Sequence, residues 1–277
     1  MTNIMRVGVV VSLILCGDMC FANDQSSDQL VYTLMQKSGL KKQIEQMPQL
    51  LQVELDRQQV DVNRIPQEEF NRFSKIARSA FDAKTIHAAV QTYIKLNLSE
   101  NDMKKVLEWL DSPLGTKITK LEEDASTAEA YKDMQAIGAK LLYENKDSAR
   151  MNKIIKLDKA IGATQSTVNT VMDIQLAMIT AMSAAMETDN RPSFEDVQDL
   201  VKNNQPQIQA AINQVVQIQF LYTYRELKDD EIDRYTQFAE SISGQRYHNV
   251  SIRAIDEALV HAARNIGSRL GMRMNRI

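Results

Sequence analysis

Apolar residues in this sequence recur every three or four positions and hardly anywhere alternate with polar ones. Phe70, Phe73, Ala77, Ala80 and Phe81 form one such stripe, and Ile255, Leu259, Ala262, Ile266 and Leu270 form another. That spacing lines one face of an α-helix. No run of apolar–polar alternation is bounded by hairpin turn pairs, so little in the chain can seed a sheet. Glycine and proline, which interrupt helices, number only nine and five in 277 residues, while good helix formers are plentiful. The expected fold class is therefore all-α. Breaks are expected near Pro48, over Val60–Pro66, at Ser112–Pro113, over Glu187–Ser193 and over Asn203–Gln207. They imply roughly eight to ten helices.

The helical pattern is written twice. "LSENDMKKVLEWLDSPLG", from Leu98 to Gly115, is echoed by "LKDDEIDRYTQFAESISG", from Leu227 to Gly244, at a shift of 129 positions. Ser99 is placed to cap a helix, with Asp102 three residues on to complete a capping box and Leu98 and Met103 to staple the entry. Met103, Val106, Leu107 and Leu110 make a buried stripe with Trp109 at its margin. Ser112–Pro113 ends this helix and starts the next, serine as cap and proline in the first turn. Gly115 allows an unusual backbone angle or close approach by a neighbour. In the echo Leu227, Ser241 and Gly244 are identical to their counterparts, Glu231 replaces Asp102, Ile232 replaces Met103 and Phe238 replaces Trp109. Tyr93 and Lys117 match Tyr222 and Arg246 at the same shift. Lys228 stands where the capping serine was and Ile242 where the proline was, so the second copy is expected to bend less there. A fainter correspondence links Leu34–Met47 with Leu157–Thr170 at a shift of 123, a difference that loops absorb. The expected architecture is two tandem, divergent helical modules packed as a helical bundle, residues 23–147 and 148–277, joined near Tyr143–Asn152. The best motif matches span 93–121 and 222–250.

An acidic capped helix with an aromatic in its second half, then Ser-Pro-x-Gly followed by lysine, resembles the domain-of-unknown-function family number 2059, here as two divergent copies. That family consists of exported bacterial helical proteins, mostly without assigned activity. The resemblance implies a periplasmic location and carries over no catalytic residue.

The N-terminus reads as an address. Arg6 precedes the apolar run Val7–Cys16, then "GDMCFA" and a polar stretch. Ten residues are too few for a membrane-spanning helix, which needs about 20, but suit a secretory signal peptide over 1–22 cleaved after Ala22. Both cysteines, Cys16 and Cys20, would leave with it, which removes disulfides, cysteine nucleophiles and thiolate metal sites from the mature chain. Arg6 and Asp18 would leave together, so the net charge stays at −3. That balance does not suit a nucleic-acid binder, which wants a basic stripe. The best later candidate for a membrane span, Val171–Met186, is short and carries Asp173 and Gln175.

Chemical signatures are few. His87, His248 and His261 share no metal-ligand spacing, and His261 follows Glu257 by one helical turn as an exposed pair would. No Gly-x-Ser-x-Gly elbow and no glycine-rich phosphate loop is present. The acidic pairs Asp229–Asp230 and Glu122–Glu123 are expected at helix starts or on solvated faces. No cofactor is implied. Met172, Met178, Met182 and Met186 recur at about a helical turn. They read first as a core stripe, second as an adaptable apolar groove for peptide or lipid, and last as a thioether site for Cu(I). Arg264, Arg269, Arg273 and Arg276 complement a C-terminal helix dipole and offer at most a weak contact with a membrane surface. The expected function is non-enzymatic: a binding, interaction or chaperone-like protein of the cell envelope. A carrier of apolar small ligands or lipid is the alternative, and an enzyme of unrecognised type the third reading.

Overall fold

The computed structural model describes residues 27–61, 67–184 and 192–274. The leader expected over 1–22 with both cysteines, Met186 and Arg276, and parts of the breaks expected at 60–66 and 187–193, lie outside them. Among the described residues there is no strand. The first helical stretch, α1, covers 27–37. It is followed by α2 (Leu40–Asp61), α3 (Gln67–Ala80), α4 (Ala83–Asn97), α5 (Glu100–Leu110), α6 (Pro113–Ala125) and α7 (Ala128–Asn145). Then come α8 (Ala149–Ile161), α9 (Ala163–Ala184), α10 (Phe194–Asn203), α11 (Gln205–Thr223), α12 (Asp229–Glu240) and α13 (Ile242–Met274).

This is more than the eight to ten helices expected, because short polar caps divide the chain more finely than Pro and Gly do. Asp82, Ser99, Ser112, Thr127, Ser148 and Ser193 each accept a backbone N–H three residues on, satisfying donors that a helix start leaves open. The break expected at Pro48 does not occur, and Pro48 lies inside α2. Ile44, Met47, Leu51 and Leu55 keep one apolar face running past it, and that continuous packing outweighs the one backbone hydrogen bond proline removes.

Two large cores form, and each takes in a helix from the other end of the chain. The first gathers Val31, Leu34 and Met35 of α1, Leu40 and Ile44 of α2, Ile86, Val90 and Ile94 of α4, and Met103, Val106 and Leu110 of α5. Tyr247, Ala254 and Ala258 of α13 complete it. The second gathers Met151, Ile154 and Leu157 of α8, Val216, Phe220 and Leu221 of α11, and Ile232 and Tyr235 of α12. Leu114 and Ile118 of α6 complete that one. Leu114 and Ile118 fall, at the shift of 129, on Ser243 and Tyr247, so it is the corresponding helix that crosses over in each direction. Helix α13, about 50 Å long at 1.5 Å per residue, goes on to pack along α9, α4 and α3. Helix α7 packs on α11 and α2. No helix of the described residues is long and apolar enough to cross a membrane.

Candidate functional site

The seam between the cores is built from the two echoing stretches. Trp109 and Phe238, equivalent at the shift of 129, stack on each other with ring centroids 4.6 Å apart and planes 7° from parallel, and both pack against both cores. On one side Arg246 donates to Asp102 at 2.9 Å; on the other Lys117 donates to Glu231 at 2.8 Å. Asp102 corresponds to Glu231 and Lys117 to Arg246, so each acid pairs with the base of the opposite stretch.

Asp102 is 3% exposed and also takes the hydroxyls of Ser99 at 2.7 Å and Ser243 at 2.9 Å. The Ser99 hydroxyl first, and the Arg246 guanidinium next, hold its carboxyl down at about 2. Asp102 thus departs from the capping box expected of it: Ser99 caps the Asp102 N–H at 3.1 Å, but the carboxylate turns to the seam. Glu231, held low chiefly by Lys117 and then by the Lys228 N–H, does return to its cap residue, accepting that N–H at 2.8 Å.

Below each acid the backbone turns identically. Ser112 (φ −68°, ψ 154°) and Ser241 (φ −67°, ψ 156°) adopt the same extended conformation, and their hydroxyls accept the N–H of Gly115 at 3.0 Å and Gly244 at 3.1 Å. A Cβ on Gly115 would lie 2.1 Å from the Trp109 carbonyl oxygen, and one on Gly244 2.0 Å from that of Phe238. The second stretch therefore bends as the first does, against expectation, because the serine cap and the glycine make the corner and the proline is dispensable. The fainter correspondence also has a backbone counterpart, since Gly39 and Gly162 both hold positive φ, 73° and 78°.

Against this seam lies a cavity of about 530 Å³. Its lining includes Trp109, Glu122, Tyr224, Tyr235, Phe238, Tyr247 and His248. Glu122, on α6, was expected to be solvated with Glu123, and this expectation is wrong. Glu123 meets Lys42 at 2.8 Å, but Glu122 falls one turn past Ile118 on the buried face of α6. The hydroxyls of Tyr224 and Tyr235 donate to its Oε1 at 2.7 and 3.0 Å. Among the described residues Oε2 has no protein partner and no basic group lies within ion-pair distance. Burial pushes this carboxyl above the usual range, only partly opposed by the two tyrosines. Burial, and then the nearby Glu122 charge, push both tyrosine hydroxyls well above 10. The Tyr247 hydroxyl is pushed up to about 12, chiefly by burial.

His248 sits among the rings of Tyr247, Phe238 and Tyr235, with centroids 5.1, 6.2 and 6.3 Å away. Burial depresses its imidazole to about 4, so it is neutral near pH 7. Its Nε2 is buried without a hydrogen-bond partner. The site thus combines one carboxyl whose Oε2 meets no protein donor among the described residues, a buried imidazole, aromatic rings, and the hydroxyls and amides of residues such as Thr119, Ser166, Thr170 and Gln219 among aliphatic side chains.

The other singled-out residues lie elsewhere. Met178 packs between Ile76, Ala77 and Ile266 on one side and Ala177, Val260 and Ala263 on the other. Met172 and Met182 are half-buried on the same helix, and none of the three lines the cavity. His87 and His261 do not join His248 there. Arg264 is exposed and Arg269 donates to the Ser79 hydroxyl at 3.3 Å. Among the described residues no group of three His, Cys, Asp or Glu side chains is placed to hold a metal ion. Sequence reasoning misplaces Glu122 and passes over Tyr224 and Tyr235; their signal is register alone, since each lies one helical turn, or nearly so, from a core aliphatic.

Residues 84–144 match a bacterial family described as "uncharacterized protein conserved in bacteria (DUF2059)". The matched segment runs through α4, α5 and α6 and almost all of α7. It contributes Trp109, Gly115 and Glu122 to the seam and cavity. No curated protein and no solved structure matches the chain.

Proposed function

We propose that this is a non-enzymatic small-ligand-binding protein of the bacterial envelope, and that residues 222–250 are a second, divergent copy of residues 93–121, which lie within the segment matched at 84–144. The cavity carries the reading. A protein interior is normally packed to near crystal density, and buried polar groups are normally hydrogen-bonded. A space of about 530 Å³ departs from that packing beside His248, whose buried Nε2 has no hydrogen-bond partner, and it has the size of ordinary ligand sites. The leader pattern at 1–22 supports export to the periplasm. The reciprocal pairs Asp102–Arg246 and Lys117–Glu231, the stacked Trp109 and Phe238, and the shared serine–glycine corners support the second copy.

The test is native mass spectrometry of the chain purified from its own periplasm, beside Ser166→Phe, which places a ring in the cavity lining. The wild type should carry an additional stoichiometric mass that the variant lacks. A bare wild-type mass overturns the reading. A partner protein is the second reading, with Phe194, Leu200 and Val215 on α10 and α11, 59%, 55% and 54% exposed, as the apolar side chains it would cover. Crosslinking in the intact envelope that captures a partner through α10 or α11, with no added mass, would select that reading.

A further inference from the structure

We infer that the cavity takes an organic ammonium ion, held between the Glu122 carboxylate and the rings of Trp109, Tyr224, Tyr235, Phe238 and Tyr247. The inference rests on the ligand-binding reading above and names the ligand's class.

Charge decides the sign of the ligand. Among the described residues Glu122 is the one acid in the lining, and no lysine or arginine among them lines the cavity with it. Its Oε1 is taken by two tyrosine hydroxyls, while Oε2 keeps its lone pairs for something not supplied by the described residues. Burial favours the neutral form of this carboxyl; a cation carried by the ligand would favour the ionised form, and no described residue lining the cavity supplies one. An anionic ligand would meet that carboxylate with no compensating cation. A neutral sugar-like ligand would leave its charge uncompensated.

Chemistry then decides the kind of cation. A bare metal ion wants several oxygen, nitrogen or sulfur ligands, and no cluster of three suitable side chains exists among the described residues. Around Glu122 the lining includes the rings of Tyr224, Tyr235, Phe238 and Tyr247 among aliphatic and hydroxyl side chains, and the negative faces of such rings attract an organic cation and tolerate its alkyl groups. Trp109 lines the cavity as well, although its stack on Phe238 covers one of its faces.

Trp109 is the only tryptophan in the chain, so its emission reports on this site alone. The full-length mature protein is titrated with choline and with ethanolamine. Their neutral isosteres, 3,3-dimethylbutan-1-ol and propan-1-ol, are titrated in parallel, using wild type and Glu122→Gln. The glutamine keeps the size of the side chain and an acceptor for the tyrosines, and relieves a buried acid, so this variant should fold. At least one ammonium probe should change Trp109 emission saturably and bind about tenfold or more tighter than its isostere, with that preference lost in Glu122→Gln. If the isostere binds as well, or the variant keeps the preference, the ammonium inference is overturned while the ligand-binding reading stands. If neither ammonium probe binds but native mass spectrometry still finds a mass that Ser166→Phe loses, the inference fails and the cavity reading survives. If no mass is found either, both fail.

Discussion

Glu122 and His248 share one cavity and respond to pH in opposite senses. The His248 imidazole is held at about 4 in the folded chain against 6.5 ordinarily, so the unfolded chain binds a proton first as pH falls. Its neutral burial stabilises the fold above pH 6.5, and that contribution is lost as pH drops from 6.5 through about 4. It amounts to about 3 kcal/mol at roughly 1.4 kcal/mol per pH unit. Thermal unfolding of His248→Phe across that window should show a shallower acid decline than wild type; equal slopes would refute the assignment. Glu122, held above its ordinary value by burial, is the reverse. Stability is greatest while it is protonated and falls as pH rises from 4.5 through its folded pKa. Glu122→Gln should therefore melt higher than wild type at pH 7.5, by about 2–4 °C for each kcal/mol relieved, and the gain should vanish below pH 4.5. At this scale the sequence was partly legible. The pairing of Ser99 with the Asp102 N–H followed from spacing alone, but the turn of the Asp102 carboxylate toward Arg246 depends on a helix 144 positions away. Glu122 was misjudged because an acid beside another acid looks solvated, although its register with Ile118 pointed inward.

Among the elements, the serine–glycine corners between α5 and α6 and between α12 and α13 are the firmest devices. Each glycine lets a helix start run against the carbonyl of the aromatic residue six positions earlier, with no room for even a methyl group. Gly115→Ala and Gly244→Ala should each cost at least about 2 kcal/mol, the range of forced overpacking, read as a fall in the urea midpoint with little change in slope. Pro113→Ala should cost far less, because Ser241–Ile242 makes the same corner without proline. A larger loss from Pro113→Ala than from Gly115→Ala would show that the corner had been misread. Helix identity, caps and periodic stripes were legible here because they depend on neighbours three and four residues apart. The uninterrupted passage of α2 through Pro48 was not, since it is settled by packing of Leu51 and Leu55 against elements far away in sequence.

For the whole molecule, the consequential feature is the exchange of α6 and the start of α13 between cores. A chain divided at 147 would leave one piece without Tyr247, Ala254 and Ala258 and the other without Leu114 and Ile118. Fragments 23–147 and 148–277 expressed separately should lack a cooperative thermal transition. Co-expressed, they should purify as a one-to-one complex with the helical circular dichroism of the intact chain. A sharp transition in either fragment alone would contradict this. The all-α class was open to sequence reasoning because local periodicity specifies it. The crossing of helices between the cores was not, because two similar helices offer either core nearly the same apolar face. Only the seam itself, with its stacked rings and crossed charges, distinguishes the arrangements.

Those crossed charges also limit what drift can do over generations. Lys117 and Glu231 stand 114 positions apart, and Asp102 and Arg246 stand 144 apart, yet each member answers to the other. A reversal of sign at one position is tolerable only with a matching reversal at its partner, so inheritance should treat these distant sites as linked while their immediate neighbours vary freely. Aspartate against glutamate, and arginine against lysine, is the variation that such a bond permits, and it is what now distinguishes the two sides.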